Sequence, residues 1–166
     1  SGRSMLTVEH RGAPNTELIL ARLAAGFPML DRLTMVGISA GGYGVAVNAF
    51  RGRMAFPGAR VDVLDDSGIV IDAEPGQWSE MMAAWQPPLP ADCTDCIDGF
   101  TNLIPYHGRT MPADARFGML ASRMDETIRG YFGYTGTEMA RRVDESVAMM
   151  AMYPNQRAIV FDGSRH

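Results

Sequence analysis

Ser39, Asp125 and His166 occur in this chain in an order that suits acyl transfer. A serine hydroxyl is a weak nucleophile until an imidazole takes its proton, and a carboxylate must orient and support that imidazole. Ser39 lies in Gly37-Ile38-Ser39-Ala40-Gly41, which fits the G-x-S-x-G pattern of a nucleophile held on a sharp turn. Such a turn crowds the backbone, so Gly37 and Gly41 are expected to let the chain pass closely while the Ser39 hydroxyl stays exposed. The Ala40 amide then sits at a helix N-terminus, placed to donate to an oxyanion.

Each proposed member has a plainer reading. Asp125 precedes Glu126-Thr127-Ile128, where an aspartate caps a helix whatever else it does. Asp66 is the rival acid, and is expected instead to order the loop through Ser67 and Gly68 by an Asx-type turn. Gly163-Ser164-Arg165-His166 resembles a cloned terminus, although Phe161-Asp162-Gly163 fits a native strand and loop. His10 and His107 read as surface or core histidines, with His107 within reach of a substrate. Cys93-x-x-Cys96 has no second cysteine pair and no histidine at ligand spacing, so zinc is not expected. A Pro-rich setting does not suit a thioredoxin-type motif either. A local disulfide in an oxidising compartment, or two buried thiols in the cytosol, remain.

The elements that must position these residues follow from the apolar pattern. Leu6–His10 is a short strand candidate. Asn15 is a good cap for a helix whose Ile19, Leu23 and Phe27 recur at a helical spacing and give it a buried face. Leu33, Met35, Val36 and Ile38 read as a buried strand leading into Ser39. A helix then runs to about Phe50, with Ala40, Gly41, Gly44 and Ala46 suited to close packing. Further strands are expected at 60–65, 116–121 and 157–161, and helices at about 78–85, 126–132 and 137–152. Residues 86–113 read as an irregular insert, since Pro87-Pro88-Leu89-Pro90 cannot continue a helix. Strands alternating with helices predict an α/β fold with a mostly parallel sheet. Ser39, Asp125 and His166 each follow one of those strands, so all three belong to one sheet edge.

The 166 residues make one domain, and 46% of them are hydrophobic, enough for a packed core. A net charge of −4 without basic clusters argues against nucleic acid as a partner. No apolar run is long enough to span a membrane. The 13 methionines read as core filler, with a few available to line an acyl pocket.

The chain resembles the pectin acetylesterase/Notum family of α/β-hydrolases. The resemblance is carried by Gly37-Ile38-Ser39-Ala40-Gly41-Gly42-Tyr43-Gly44, by Val63-Leu64-Asp65-Asp66-Ser67-Gly68 and by the Cys93/Cys96 segment. It continues through Gly118-Met119-Leu120-Ala121-Ser122-Arg123-Met124-Asp125 to Gly163-Ser164-Arg165-His166. It implies an α/β-hydrolase-type sheet and serine-dependent hydrolysis of a carbohydrate, lipid or small-molecule ester, in a secreted or envelope location. No cofactor and no metal are expected. The family is longer than this chain and has an oxyanion segment upstream of anything present here, so a domain incomplete at its N-terminus is expected. Two competing classes are a non-catalytic binding protein on the same fold and a thiol oxidoreductase working through Cys93 and Cys96.

Overall fold

The computed structural model describes residues 10–163. Its frame is a sheet of four parallel strands: β1 (Arg32–Ile38), β2 (Arg60–Asp66), β3 (Phe117–Ser122) and β4 (Gln156–Phe161). They lie side by side in chain order. Parallel neighbours require crossovers, so all four C-terminal ends, and the loops that follow them, open on one edge. Six helices accompany the sheet among the described residues: α1 (Gly12–Gly26), α2 (Ala40–Ala55), α3 (Pro75–Trp85), α4 (Leu103–Thr110), α5 (Glu126–Phe132) and α6 (Gly136–Ala151). This is the α/β fold expected from the alternating pattern. No described helix is long and apolar enough to cross a membrane.

The core sits where α2 and α6 meet the sheet, and the coil after β2 threads through it. Ile69, Val70 and Ile71 are fully buried although they belong to no regular element. Such a coil needs partners for its polar backbone. Ser146 of α6 donates its hydroxyl to the Val70 carbonyl at 2.7 Å, and the Tyr134 hydroxyl donates to the Asp72 carbonyl. Asp72 in turn accepts the Thr101 amide at 2.9 Å, which ties this coil to the insert.

Two expectations about burial need correction. β1 has a strand neighbour on one side only among the described residues, and its faces differ. Leu33, Met35 and Gly37 turn towards α2, while Val36 and Ile38 are exposed (56% and 64%). Likewise α1 buries Leu20, whereas Ile19, Leu23 and Phe27 form an exposed stripe. The helical spacing does put those three residues on one face, but the buried face is the neighbouring one, centred on Leu20. α1 also starts earlier than Asn15, with Arg11 at the cap and Pro14 inside the first turn. Proline costs little there, because a first-turn amide has no helical acceptor. The strand candidate at Leu6–His10 falls outside the described residues apart from His10, which is not in a strand.

The insert at 86–113 is less irregular than its prolines and glycines suggest. A 3₁₀ turn at Phe100–Asn102 runs into α4, and Pro105 occupies the third helical position. Cys93 and Cys96 are bonded as a local disulfide with Cα atoms 5.4 Å apart. Polar ties hold the insert down. Trp78 Nε1 donates to the Ile97 carbonyl at 2.9 Å, and the buried Arg51 donates to the Pro88 carbonyl at 2.8 Å. His107 is fully buried, with Nε2 2.7 Å from the Ala46 carbonyl and its ring stacked on Phe117. A carbonyl only accepts, so Nε2 carries the proton and Nδ1 faces Arg53 Nη1 at 3.4 Å.

His107 is therefore a core residue that fastens α4 to α2, and it does not reach a substrate. Burial pushes its imidazole down to about 4, with the Arg53 charge adding to the effect against the Ala46 hydrogen bond. A depressed histidine favours the unfolded chain when protons are plentiful. Its contribution is complete above the unfolded value of about 6.5 and is lost as pH falls through about 4, by up to roughly 3 kcal/mol. The difference in melting temperature between His107→Gln and wild type should therefore move in the variant's favour on acidification across that window. Parallel curves would show that His107 does not titrate in this way.

Candidate active site

The turn between β1 and α2 puts Ser39 in a conformation that side chains rarely adopt. Its φ is 57° and its ψ is −122°. A non-glycine residue held there carries strain that the surrounding structure must impose. Three contacts impose it here. The Ser39 amide donates to the Asp66 carbonyl at 2.7 Å, continuing the β1–β2 ladder, and the Ser39 carbonyl accepts the Gly42 amide at 2.8 Å. Gly37 lies so close to Gly41 that a Cβ there would come within 1.9 Å of the Gly41 carbonyl oxygen. The second close approach is made by Gly42, not Gly41. A Cβ on Gly42 would lie 2.6 Å from Gly68 Cα, whereas one on Gly41 would meet nothing within 4 Å.

Ala40 is the first residue of α2, so its amide has no acceptor within the helix. It lines, with Ser39, an open cavity of about 1010 Å³. Tyr43 and Val47 extend the α2 side of that cavity, since residues four apart share a helix face. Trp85 at the end of α3, Phe100 of the insert and Phe132 of α5 supply apolar surface, with Pro87 and Pro88 beyond them. Tyr43 packs its ring against Phe100 and Phe132 at centroid distances of 5.6 and 6.1 Å. Sequence reasoning does not find this aromatic wall. The signal for Tyr43 is present in its spacing from Ser39, but Trp85, Phe100 and Phe132 meet only in the folded chain.

Asp125 is fully buried in the loop after β3, and it does cap α5: its Oδ1 accepts the Ile128 amide at 2.9 Å. Thr127 and Ile128, just inside that cap, line the same cavity as Ser39. A single carboxylate has lone pairs to spare after one amide, so capping leaves acceptor capacity for an imidazole. His166 lies outside the described residues. Before it, Gly163 accepts the Ser122 hydroxyl, and Phe161 accepts the Arg123 amide at 3.1 Å. The end of β4 and Gly163 therefore lie beside the start of the β3 loop that bears Asp125.

Asp66, the rival acid, is half-buried and accepts the Ser67 hydroxyl at 3.0 Å. The turn that it was expected to order belongs to its neighbour instead. Asp65 Oδ1 accepts the Gly68 amide at 2.9 Å from a fully buried position. Alternation along β2 explains the exchange, because it points Asp65 towards α2 and Asp66 away from it. His10 is exposed at the mouth of the cavity. No protein-family model matches the chain, and no curated protein matches it.

Proposed function

We propose that the protein is a serine carboxylester hydrolase working through an acyl-enzyme. The observation that carries this reading is the strained Ser39, held on a strand-to-helix turn and lining a large, mostly apolar cavity with an aromatic patch of Tyr43, Phe100 and Phe132. Strain of this kind costs about 1–3 kcal/mol and clusters where reactive groups are presented. The pectin acetylesterase/Notum resemblance supports the same chemistry and a secreted or envelope location.

In this reading His166 removes the Ser39 proton as Oγ attacks the ester carbonyl. The tetrahedral oxyanion accepts the Ala40 amide, at the positive end of α2. The imidazolium then protonates the leaving alcohol, and water, activated by the same imidazole, releases the acid. Asp125 holds the imidazole and stabilises its charged form. The acyl group of a carbohydrate, lipid or small-molecule ester lies against Tyr43, Phe100 and Phe132, with its alcohol towards the open mouth. The chemistry calls for no cofactor and no metal.

Labelling with a fluorophosphonate tests the reading, because only an activated serine reacts quickly with it. One probe per chain on Ser39, abolished in Ser39→Ala, is the expected result. A folded wild-type chain that takes up no label would leave a binding protein as the better description.

A further inference from the structure

Asp65 is a fully buried carboxyl to which the proposed chemistry gives no task. Across the sheet it faces Gly37 on β1 and Met119 on β3, neither of which carries charge. Its Oδ1 accepts the Gly68 amide, while its Oδ2 is buried without a hydrogen-bond partner. The same carboxyl touches the first turn of α2, since a Cβ on Gly42 would lie 2.1 Å from Oδ1. Asp65 thus lies between the Gly68 turn and the turn that holds Ser39 and Ala40. A second unpartnered group belongs to that helical turn. Tyr43 Oη is buried with no hydrogen bond, and its phenol is pushed well above the ordinary value, by burial first and by Asp65 next.

Buried polar atoms are seldom left unpaired, and a buried carboxylate without a cation is costlier still. Asp66 on the same strand and Tyr43 from α2 are the titratable groups in electrostatic reach; Tyr43 also feels Tyr134, Asp125 and Asp72. Among the described residues no cation pairs with Asp65. An apolar side chain would fill this position at less cost, so a carboxyl kept here points to use of its proton.

We infer that Asp65 is a positioning residue for the Ser39 turn: its carboxyl joins the Gly68 turn to α2, and although ionisation strengthens the bond from the Gly68 amide, it leaves a charge beside a buried Oδ2 that has no partner, and the rearrangement that relieves this charge loosens the turn that carries Ser39 and the Ala40 amide. The inference rests on the hydrolase reading. Burial pushes the Asp65 carboxyl up to about 7, against the Gly68 hydrogen bond and with help from the Asp66 charge. The brace therefore changes state near neutrality. An acid raised in the folded chain adds stability that is complete below the unfolded value of about 3.9 and is lost as pH rises through about 7. That sense is opposite to the one for His107, so differences between variant and wild type are the quantity to read.

The test compares wild type, Asp65→Asn and Asp66→Asn by fluorophosphonate labelling rate and by thermal melting, between about pH 5 and pH 9. The Asp65→Asn side chain keeps an acceptor for the Gly68 amide but cannot ionise. The ratio of Asp65→Asn to wild-type labelling rates should be constant at acid pH and rise about tenfold on the alkaline side, a part of the roughly 10²–10³ that one oxyanion donor supplies. The melting temperature of Asp65→Asn should gain on wild type as pH rises towards about 7 and level off above it, while Asp66→Asn, which removes a charge that helps to raise Asp65, should keep the wild-type pattern in both measurements displaced to lower pH. A labelling ratio that is flat with pH would overturn the inference, including the case in which only melting responds, for then Asp65 is merely a buried acid. Absence of labelling at every pH in wild type would overturn the hydrolase reading, and the inference with it.

Discussion

Ser39→Ala should lower kcat/KM on a p-nitrophenyl ester by about 10³–10⁶-fold, the range seen when a serine nucleophile is removed from a working triad. The size follows from what remains. Without Oγ there is no acyl-enzyme, and the Ala40 amide and the cavity can assist only direct attack by water. The substitution is also expected to leave the fold intact, because the contacts that shape the turn use the Ser39 backbone: its amide on Asp66 and its carbonyl on Gly42. Alanine still suffers the positive φ of 57°, so the variant should melt no higher than wild type. Turnover close to wild type in a folded Ser39→Ala chain would remove Ser39 from the chemistry.

Asp125→Asn isolates the other half of the proposed machinery. Asparagine is as good a helix cap as aspartate, so its side-chain oxygen can continue to accept the Ile128 amide and hold the start of α5. What it loses is the negative charge that supports an imidazolium and the acceptor that fixes the histidine tautomer. Loss of turnover by about 10⁴-fold with little change in melting temperature is therefore expected. Asp66→Asn is the matched control, since Asp66 lies one strand away and its side chain accepts the neighbouring Ser67 hydroxyl. If Asp66→Asn proves the more damaging change, the acid follows β2 and the assignment reverses. If Asp125→Asn instead lowers stability and activity together, capping is the whole of its role.

The two substitutions separate local from long-range roles, and the same division runs through the chain. Sequence alone determined what depends on near neighbours. The alternation of apolar runs with helical spacing defined four parallel strands and the helices between them apart from α4, which lies in the stretch read as irregular, because side-chain periodicity is a local property. Gly37-Ile38-Ser39-Ala40-Gly41 determined a strained turn for the same reason, since a crowded backbone tolerates few residue types. The pairing of Cys93 with Cys96 was one of two local readings, three positions being close enough for a bridge.

Tertiary structure decided everything that depends on which surface meets which. Ile19, Leu23 and Phe27 make a stripe in any helix, but only the placement of α2 left that stripe exposed and buried Leu20. Val36 and Ile38 are apolar in any strand, yet they are open because they lie on the face of β1 turned away from α2. The same logic chose Asp65 over Asp66 to hold the Gly68 turn, and took His107 into the core beneath Ala46. The wall of Tyr43, Phe100 and Phe132 joins three elements far apart in the chain, and no local pattern encodes their meeting. A burial face is a relation between two elements, and periodicity read along one element supplies only half of it.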